Sequence, residues 1–413
     1  MHPSKQLLLI GTLDTKGEDY GYVRELVLSR GHQVVTVDIG VAGEPRGIHP
    51  DWGADEVARR AGTSRQALRE AGDRGRALAA MAQGAAELVM ELSREGRIDG
   101  ILGMGGTGGT SVISAVMRKL PVGFPKVLVS TAASGDTKPI AGTRDIVMIP
   151  SVVDVAGLNS VSKLIYRQAA AAVGGMMEQP LSRQQEEKPI IAITMFGNTT
   201  AAVERCKQQL EAKGYECLVF HCTGVGGETM EGLVEDGRIA AVLDMTTTEW
   251  ADQLCGGVFA AGDARLEAPG RRGIPHVVVP GCIDMVNFGA ASTVPERYRD
   301  RLLYVWNANV TLMRTNVEEN EQLGEIFAGK LNAAKDRTAV LIPALGYSLL
   351  GASGERFHQP EADAAFVRSL QTRLRPHIRL EKLELAINDE AFADYAVTTL
   401  LDLIDANAPI DRS

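Results

Sequence analysis

No run of lysine or arginine in the 413 residues is long enough to follow a nucleic-acid backbone, and the formal net charge is −9. Nucleic acid is therefore excluded as a partner. Long apolar runs are missing as well: a membrane-spanning helix needs about 18 apolar residues in a row, and none occurs. The opening "MHPSKQLLLIGTLD" has one lysine and a short apolar run before a glycine, less than a secretory signal requires. A cytoplasmic protein without membrane contact is expected. Cysteine is scarce and unpatterned. The five lie between Cys206 and Cys282, with no C-x-x-C pair and no histidine cluster at zinc spacing, so they read as reduced, mostly buried thiols and no metal centre is expected from them. Cys282, in "PGCIDMVN", follows a strand where a nucleophile could sit, but no local base accompanies it.

What is present is a soluble globular composition, 45% hydrophobic and 23% charged, in a chain too long for one ordinary core. Short apolar runs alternate with helical stretches, the pattern of parallel sheets covered by helices on both faces. Candidate strands are Leu7–Ile10, Val34–Val37, Ile98–Leu102, Val127–Ser130, Ile190–Thr194, Cys217–Phe220, Ala241–Leu243, Val277–Val279 and Ala339–Ile342. Val112, Ile113, Val116, Met117 and Leu120 share one helical face, as do Leu78, Met81, Ala85, Leu88 and Leu92. The polar segment Met176–Pro189 reads as a linker.

The two halves resemble one another. "KQLLLIGTLDTKG" from Lys5 aligns with "KPIIAITMFGNTT" from Lys188, and the same offset sets Gly31-His32 on Gly214-Tyr215 and Asp38 on His221. "GRIDGILGMGGTGG" from Gly96 matches "GRIAAVLDMTTTEW" from Gly237 at a smaller offset, and "FPKVLVSTAASGD" and "IPHVVVPGCIDMV" continue the parallel. The expected fold is α/β: two tandem Rossmann-like, doubly wound parallel-sheet domains, duplicated. They would span residues 1–178, with a helical insertion near 48–93, and residues 188–413.

Ligands of such sheets bind beyond the carboxyl ends of the strands, and every unusual loop of this sequence lies at such an end. "GMGGTGGT", Gly103 to Thr110, spells G-x-G-x-x-G, yet it is not the first turn of its unit and no acid follows near Gly123. It is thus a poor dinucleotide fingerprint, and no Gly-Lys-Ser/Thr makes it a P-loop. Two readings remain. One is an anion cradle in which Gly103, Gly105, Gly106, Gly108 and Gly109 admit a phosphate to the backbone and Thr107, Thr110 and Ser111 add hydroxyls. The other is a tight turn required by close strand–helix packing.

The cradle has suitable neighbours. "GTLDTKGE" offers Gly11, hydroxyls at Thr12 and Thr15, Lys16 as countercharge and Asp14 as a ligand for Mg²⁺ or water, though Asp14 or Thr15 with Glu18 also makes a helix-capping arrangement. Asp38 stands where an acid commonly accepts ribose hydroxyls. "ASGDTKP" adds Ser134, Asp136, Thr137 and Lys138, with Asp136 also readable as a turn residue. In the second half, Asn198, Thr199, Thr200 and Thr246, Thr247 and Thr248 mark two helix starts suited to a phosphate or carboxylate, or to plain N-capping. His221 is a candidate general acid or base. Glu249, Asp284 and Asn287 could polarise a hydroxyl substrate or hold a metal. Arg314 could clamp a carboxylate, or pair with Glu318 or Glu319.

Eight motifs in order, "GTLDTKGE", "GMGGTGGTS", "STAASGDTKP", "PSVVDVAGLNS", "ITMFGNTT", "DMTTTEWAD", "DMVNFG" and "NVTLMRT", resemble the uncharacterised bacterial family related to the N-terminal ATP-binding domain of the tomato mosaic virus resistance protein. The resemblance runs from about Leu7 to Asn332 and more weakly to the C-terminus. It implies two Rossmann-like domains, ATP binding and self-association, with ATP against Gly11, Thr12, Asp14, Lys16, Asp38 and Gly103–Thr110. In the plant protein this domain binds a viral replicase, a role that a stand-alone relative cannot have, and bacterial relatives look like neighbours of carbohydrate-acid catabolism. Two departures fall in the second half: Trp306-Asn307-Ala308 replaces His-Asn-Pro, and "LGYSLLGASGERFHQPEAD" replaces a Gly-hydrophobic-Ser-Ala stretch. Together these readings lead to an oligomeric ATP-binding enzyme acting on a small acidic metabolite, with nucleotide in the first half, metabolite in the second, and phosphoryl transfer as the simplest reaction. The other class weighed is a non-catalytic nucleotide-binding module that acts through protein partners.

Overall fold

Five runs of the first half pair into a single parallel sheet, whose central strands find apolar cover for their side chains on both faces. They are β1 (Gln6–Gly11), β2 (Gln33–Asp38), β3 (Gly100–Gly105), β4 (Lys126–Ser130) and β5 (Val147–Pro150), in the order β2-β1-β3-β4-β5. Side chains alternate across a strand. Leu8, Ile10, Ile101 and Leu128 accordingly meet helices Arg74–Arg94 and Thr107–Met117 on one face. Leu7, Leu9, Leu102, Val127 and Val129 meet helices Leu13–Ser29 and Ser160–Glu178 on the other. Each such side chain contributes about 1.5–3 kcal/mol by leaving water, and double-sided burial is why the strands read as continuous apolar runs. The expected insertion consists of three helices, Ala54–Arg60, Arg65–Ala71 and Arg74–Arg94, the last capped by Asp73 through the N–H of Arg76.

The computed structural model describes residues 4–179, 188–335 and 337–406 and divides into two units, Met1–Gln185 and Glu186–Ser413. Met176–Glu178 of the expected linker close a helix, and 180–187 lie outside the described residues.

The second unit is built on β6 (Ile190–Met195), β7 (Glu216–His221), β8 (Ala241–Asp244), β9 (His276–Val278), β10 (Met285–Phe288), β11 (Leu303–Asn307), β12 (Val310–Arg314), β13 (Thr338–Pro343) and β14 (Arg379–Leu383). Its main sheet runs β14-β13-β9-β8-β6-β7 and is parallel throughout, while β10-β12-β11 form a separate antiparallel sheet. Without β14, the order β7-β6-β8-β9-β13 repeats that of the first unit. The strand starts agree with the internal sequence match: Gln33 with Glu216, Gly100 with Ala241, Lys126 with His276. The fold is therefore two tandem Rossmann-like parallel sheets. All nine expected strands are present. β5, β14 and the antiparallel sheet were not among them. Among the described residues, no helix is long and apolar enough to cross a membrane.

Candidate functional site

Strand order reverses between β1 and β3 in the first unit, the place where such sheets bind their ligands, between the turns that follow the two strands. These two turns differ in how far the protein has already used them. After β1, the Asp38 Oδ1 atom accepts the N–H of Leu13 (3.0 Å) and of Gly40 (2.8 Å). Leu13 opens its helix, so an internal carboxylate occupies that helix terminus. Asp14 turns aside to accept the N–H groups of Ala42 and Gly43 through Oδ2, both at 3.0 Å. Each carboxylate keeps a second, buried oxygen without a partner: Asp38 Oδ2 and Asp14 Oδ1. Burial pushes the Asp38 carboxyl up to about 6 against its two N–H bonds, and the charge of Asp14 adds to the rise. Thr15 donates to the carbonyl of Thr12 (3.3 Å), and the Lys16 ammonium donates to the carbonyl of Val155. Gly11 is explained by packing, because its Cβ would lie 2.1 Å from the Tyr20 hydroxyl.

The turn after β3 is partly committed and partly open. A Cβ on Gly103 would stand 2.4 Å from Ile113 Cγ2, and one on Gly105 would stand 3.2 Å from Gly109 and from the Thr110 nitrogen. Both glycines thus allow helix Thr107–Met117 to sit tightly on β3. Thr110 is buried, its hydroxyl 2.6 Å from Ser130 Oγ and 3.2 Å from the Gly105 carbonyl. Gly106 and Gly109 have no such reason. The nearest atom to a Cβ on Gly106 would be Thr131 Oγ1 at 3.9 Å, and nothing lies within 4 Å of one on Gly109. Gly106 caps the helix without a side-chain hydrogen bond, and Thr107 is exposed beside it. Over Gly108 lies the guanidinium of Arg74, 3.0 Å from where a Cβ would be. Arg74 comes from the insertion and has no hydrogen-bond partner among the described residues. Nothing in "DRGRAL" signals that this arginine ends up over the glycine loop. Ser134 and Asp136 are exposed after β4, and Asp136 accepts the N–H of Lys138 at 3.0 Å as a turn residue does.

In the second unit the reversal lies between β6 and β8, and its polar side chains mostly satisfy one another. Thr194 donates to Asp244 (2.7 Å) and accepts the N–H of Thr246 (3.0 Å), while the Thr199 and Thr246 hydroxyls meet at 2.8 Å. Thr247 donates to the Val279 carbonyl and Thr248 to that of Met285, both at 3.2 Å. Thr200 donates to the Gly197 carbonyl at 3.2 Å. Thr246, Thr247 and Thr248 are wholly buried. Asn287 donates to Thr248 and Asp252 (3.2 Å each), and Asn198 contacts Met285 Sδ at 3.6 Å.

Glu249 belongs to an ion network centred on the fully buried Arg265. That guanidinium grips Asp244 with two bonds of 2.6 Å and Glu249 with one of 2.7 Å, and Glu231 lies 3.4 Å away. Glu249 also accepts the N–H groups of Gly224 and Gly227. Arg314 is equally occupied. It donates to the carbonyls of Phe357 (2.7 Å), Gln359 (3.2 Å) and Asp284 (3.5 Å), to Thr315 Oγ1 (3.0 Å) and to the Asp363 carboxylate. Its acidic partner is thus Asp363 rather than Glu318 or Glu319, and Glu319 instead pairs with Arg301. Asp284 accepts the Ser348 hydroxyl at 2.6 Å and leaves Oδ1 without a partner, burial holding its carboxyl above the usual range. His221 is exposed at the end of β7, its ring 5.5 Å from that of Phe196. All five cysteines are buried. Burial holds the Cys282 thiol far above its ordinary pKa, so it stays protonated in its left-handed backbone conformation (φ 59°).

Among solved structures, the chain is similar to the UDP-N-acetylglucosamine 2-epimerase of Rickettsia bellii (11% identity, 98% of this chain and 97% of that one, TM-score 0.24). It is also similar to the ADP-heptose LPS heptosyltransferase II of E. coli (12% identity, 97% and 99%, TM-score 0.21). In sequence it is 46% identical over 403 residues to a UPF0261 protein of Clostridium tetani, covering 97% of this chain and all of that protein. It is 38% identical to the ToMV resistance protein Tm-1(GCR237) of Solanum lycopersicum, covering 97% of this chain and 56% of the tomato protein. The N-terminal domain of the uncharacterised protein family UPF0261 matches residues 5–182 and its C-terminal domain matches 188–404. Two domain matches in tandem, over nearly the whole length, place this chain in the UPF0261 family.

Proposed function

We propose that the first unit binds a nucleoside triphosphate, ATP by the family resemblance, with its phosphates over the turn after β3. The observation that carries this reading is Gly109. A glycine inside a helix costs about 1 kcal/mol relative to alanine, and here neither a neighbour nor a positive φ requires it. A missing Cβ at an uncapped helix terminus lets an anion reach the free amides. Gly106 supports the same approach, and Arg74 supplies a positive charge that Lys16, engaged with Val155, does not.

The protein then acts as a cytoplasmic, self-associating metabolic enzyme on a small sugar-acid-like metabolite. Phosphoryl transfer suits a site made of positioning groups and countercharge rather than a covalent nucleophile. Exposed Val152 (72%) and Leu164 (58%) in the first unit and Val305 (55%) in the second support self-association. A second reading, a nucleotide-binding module without catalysis, is favoured by the internal commitment of Thr246–Thr248, Glu249 and Arg314. The test is purified chain with ATP, Mg²⁺ and a panel of sugar acids. ADP released only with a particular acid supports the enzyme, and binding without turnover across the panel supports the module. Absence of nucleotide binding by calorimetry overturns both.

A further inference from the structure

Asp14 and Asp38 share a property that the nucleotide reading does not use. Both are buried (5% and 0% exposed). Each has one oxygen held by two backbone N–H groups and the other oxygen without any partner. They also converge on one residue. The Gly40 N–H donates to Asp38 Oδ1 at 2.8 Å, while a Cβ on the same Gly40 would lie 2.5 Å from Asp14 Oδ1. The loop between them is fixed from its far side, where Arg65 donates to the Gly43 carbonyl (2.9 Å) and Arg69 to that of Val41. Asp38 also lines a cavity of about 400 Å³ with Glu44, His49, Asp55 and Arg65. Two buried carboxylates that flank one residue repel each other, a repulsion that a proton or a cation between them relieves.

We infer that Asp14 and Asp38 form a two-carboxylate site for a hard divalent cation, completed by the phosphates of the nucleotide. The inference rests on nucleotide binding to the first unit, and it takes Asp38 away from the ribose hydroxyls. Among the described residues, no group of three or more acidic, histidine or cysteine side chains is assembled for a metal. One or two carboxylates are the usual protein contribution where Mg²⁺ is shared with a substrate's phosphates. Metal and nucleotide should therefore bind weakly apart and tightly together, each raising the other's affinity by the same factor.

The test uses the full chain, stripped of metal. Mn²⁺ is titrated by electron paramagnetic resonance with and without a non-hydrolysable ATP analogue, and the analogue is titrated by calorimetry in EDTA and in Mg²⁺. The expected result is that Mn²⁺ affinity rises about tenfold or more when the analogue is present. Asp14→Asn and Asp38→Asn should each abolish that rise and leave binding of the analogue in EDTA within about twofold of wild type. Either variant suffices should the other fail to fold, since both keep an amide oxygen for the backbone N–H groups. Unchanged metal–nucleotide coupling in both variants overturns the inference, because the metal then rides on the nucleotide alone. So does a loss of analogue binding in EDTA on Asp38→Asn, which would return Asp38 to the ribose. If the analogue never binds but Mn²⁺ binds alone and is lost in Asp14→Asn, the nucleotide reading fails and the cation site stands. If neither binds, both fail.

Discussion

The Tyr20 hydroxyl ties β1 to β3 where their pairing stops, and Gly11 is the residue that makes room for it. The hydroxyl lies 2.5 Å from the Ile10 carbonyl and accepts the Met104 N–H at 2.6 Å, just past the Ile10–Gly103 pair that ends the ladder. Removing it in Tyr20→Phe leaves a buried amide unpaired, and a loss of about 1–3 kcal/mol is expected in urea unfolding. Gly11→Ala should lose a similar amount, about 1–3 kcal/mol, by overpacking. A Gly11→Ala protein as stable as wild type would show that the close approach has no consequence.

Opposite outcomes are expected along the glycine loop. Gly103→Ala drives a methyl group into Ile113 and should destabilise by about 1–3 kcal/mol. Gly109→Ala meets open space and should stabilise its helix by up to about 1 kcal/mol, yet weaken ATP binding. Thermal melts and calorimetry on the same two proteins read both effects. If Gly109→Ala binds ATP as wild type does, the phosphates do not approach that turn.

Arg314 is predicted to report on folding. Arg314→Ala leaves the partly buried Asp363 without its cation beside three unserved carbonyls, with an expected cost of about 3–5 kcal/mol. A variant of wild-type stability but impaired substrate affinity would contradict the internal role.

Stability should fall as pH rises toward neutrality. Burial raises the carboxyls of Asp252 to about 7 and Asp363 to about 6, and lifts those of Glu231, Glu249 and Asp284. A raised group binds more protons folded than unfolded, so its contribution is complete below the unfolded carboxylate range and is lost as pH passes the folded value. Asp244 runs the other way. Burial opposes its ionisation, but the two-bond grip of Arg265 outweighs burial and lowers the pKa, so its stabilisation is lost only in acid. The lowered carboxyls, Asp244 and Glu319 among them, change their contribution only in acid, so above about pH 5 the raised set governs and the melting temperature should drop between about pH 5 and about pH 7.5. Asp252→Asn, which cannot ionise, should flatten part of that slope, and an unchanged slope would remove Asp252 as a cause.

The sequence made the main sheets legible because their strands are buried on both faces and read as apolar runs. β5 and β11 are half-exposed, with Val147, Val305 and Trp306 outside, and give neither a run nor a clean alternation. At the site, the location of the turns was legible and their use was not. A threonine at a helix start reads alike whether its hydroxyl meets a ligand or the Val279 carbonyl. The Arg265 network draws on residues scattered from Glu231 to His276, and no local motif announces it. Gly103 and Gly109 look equivalent in sequence, and only Ile113, packed over one of them, separates their roles.

Because the units descend from one pattern, Gly106 and Thr247 occupy the same place in two copies of a turn. In one copy the position is left bare, and in the other its hydroxyl is bonded inward. Natural variation at the two sites should then be policed by different pressures. If the first unit binds a nucleotide as proposed, changes at Gly106 would be tolerated by the fold and rejected by the ligand, whereas changes at Thr247 would be removed for misfolding before any ligand is met. The pair is an internal control within a single gene, able to separate selection for binding from selection for folding.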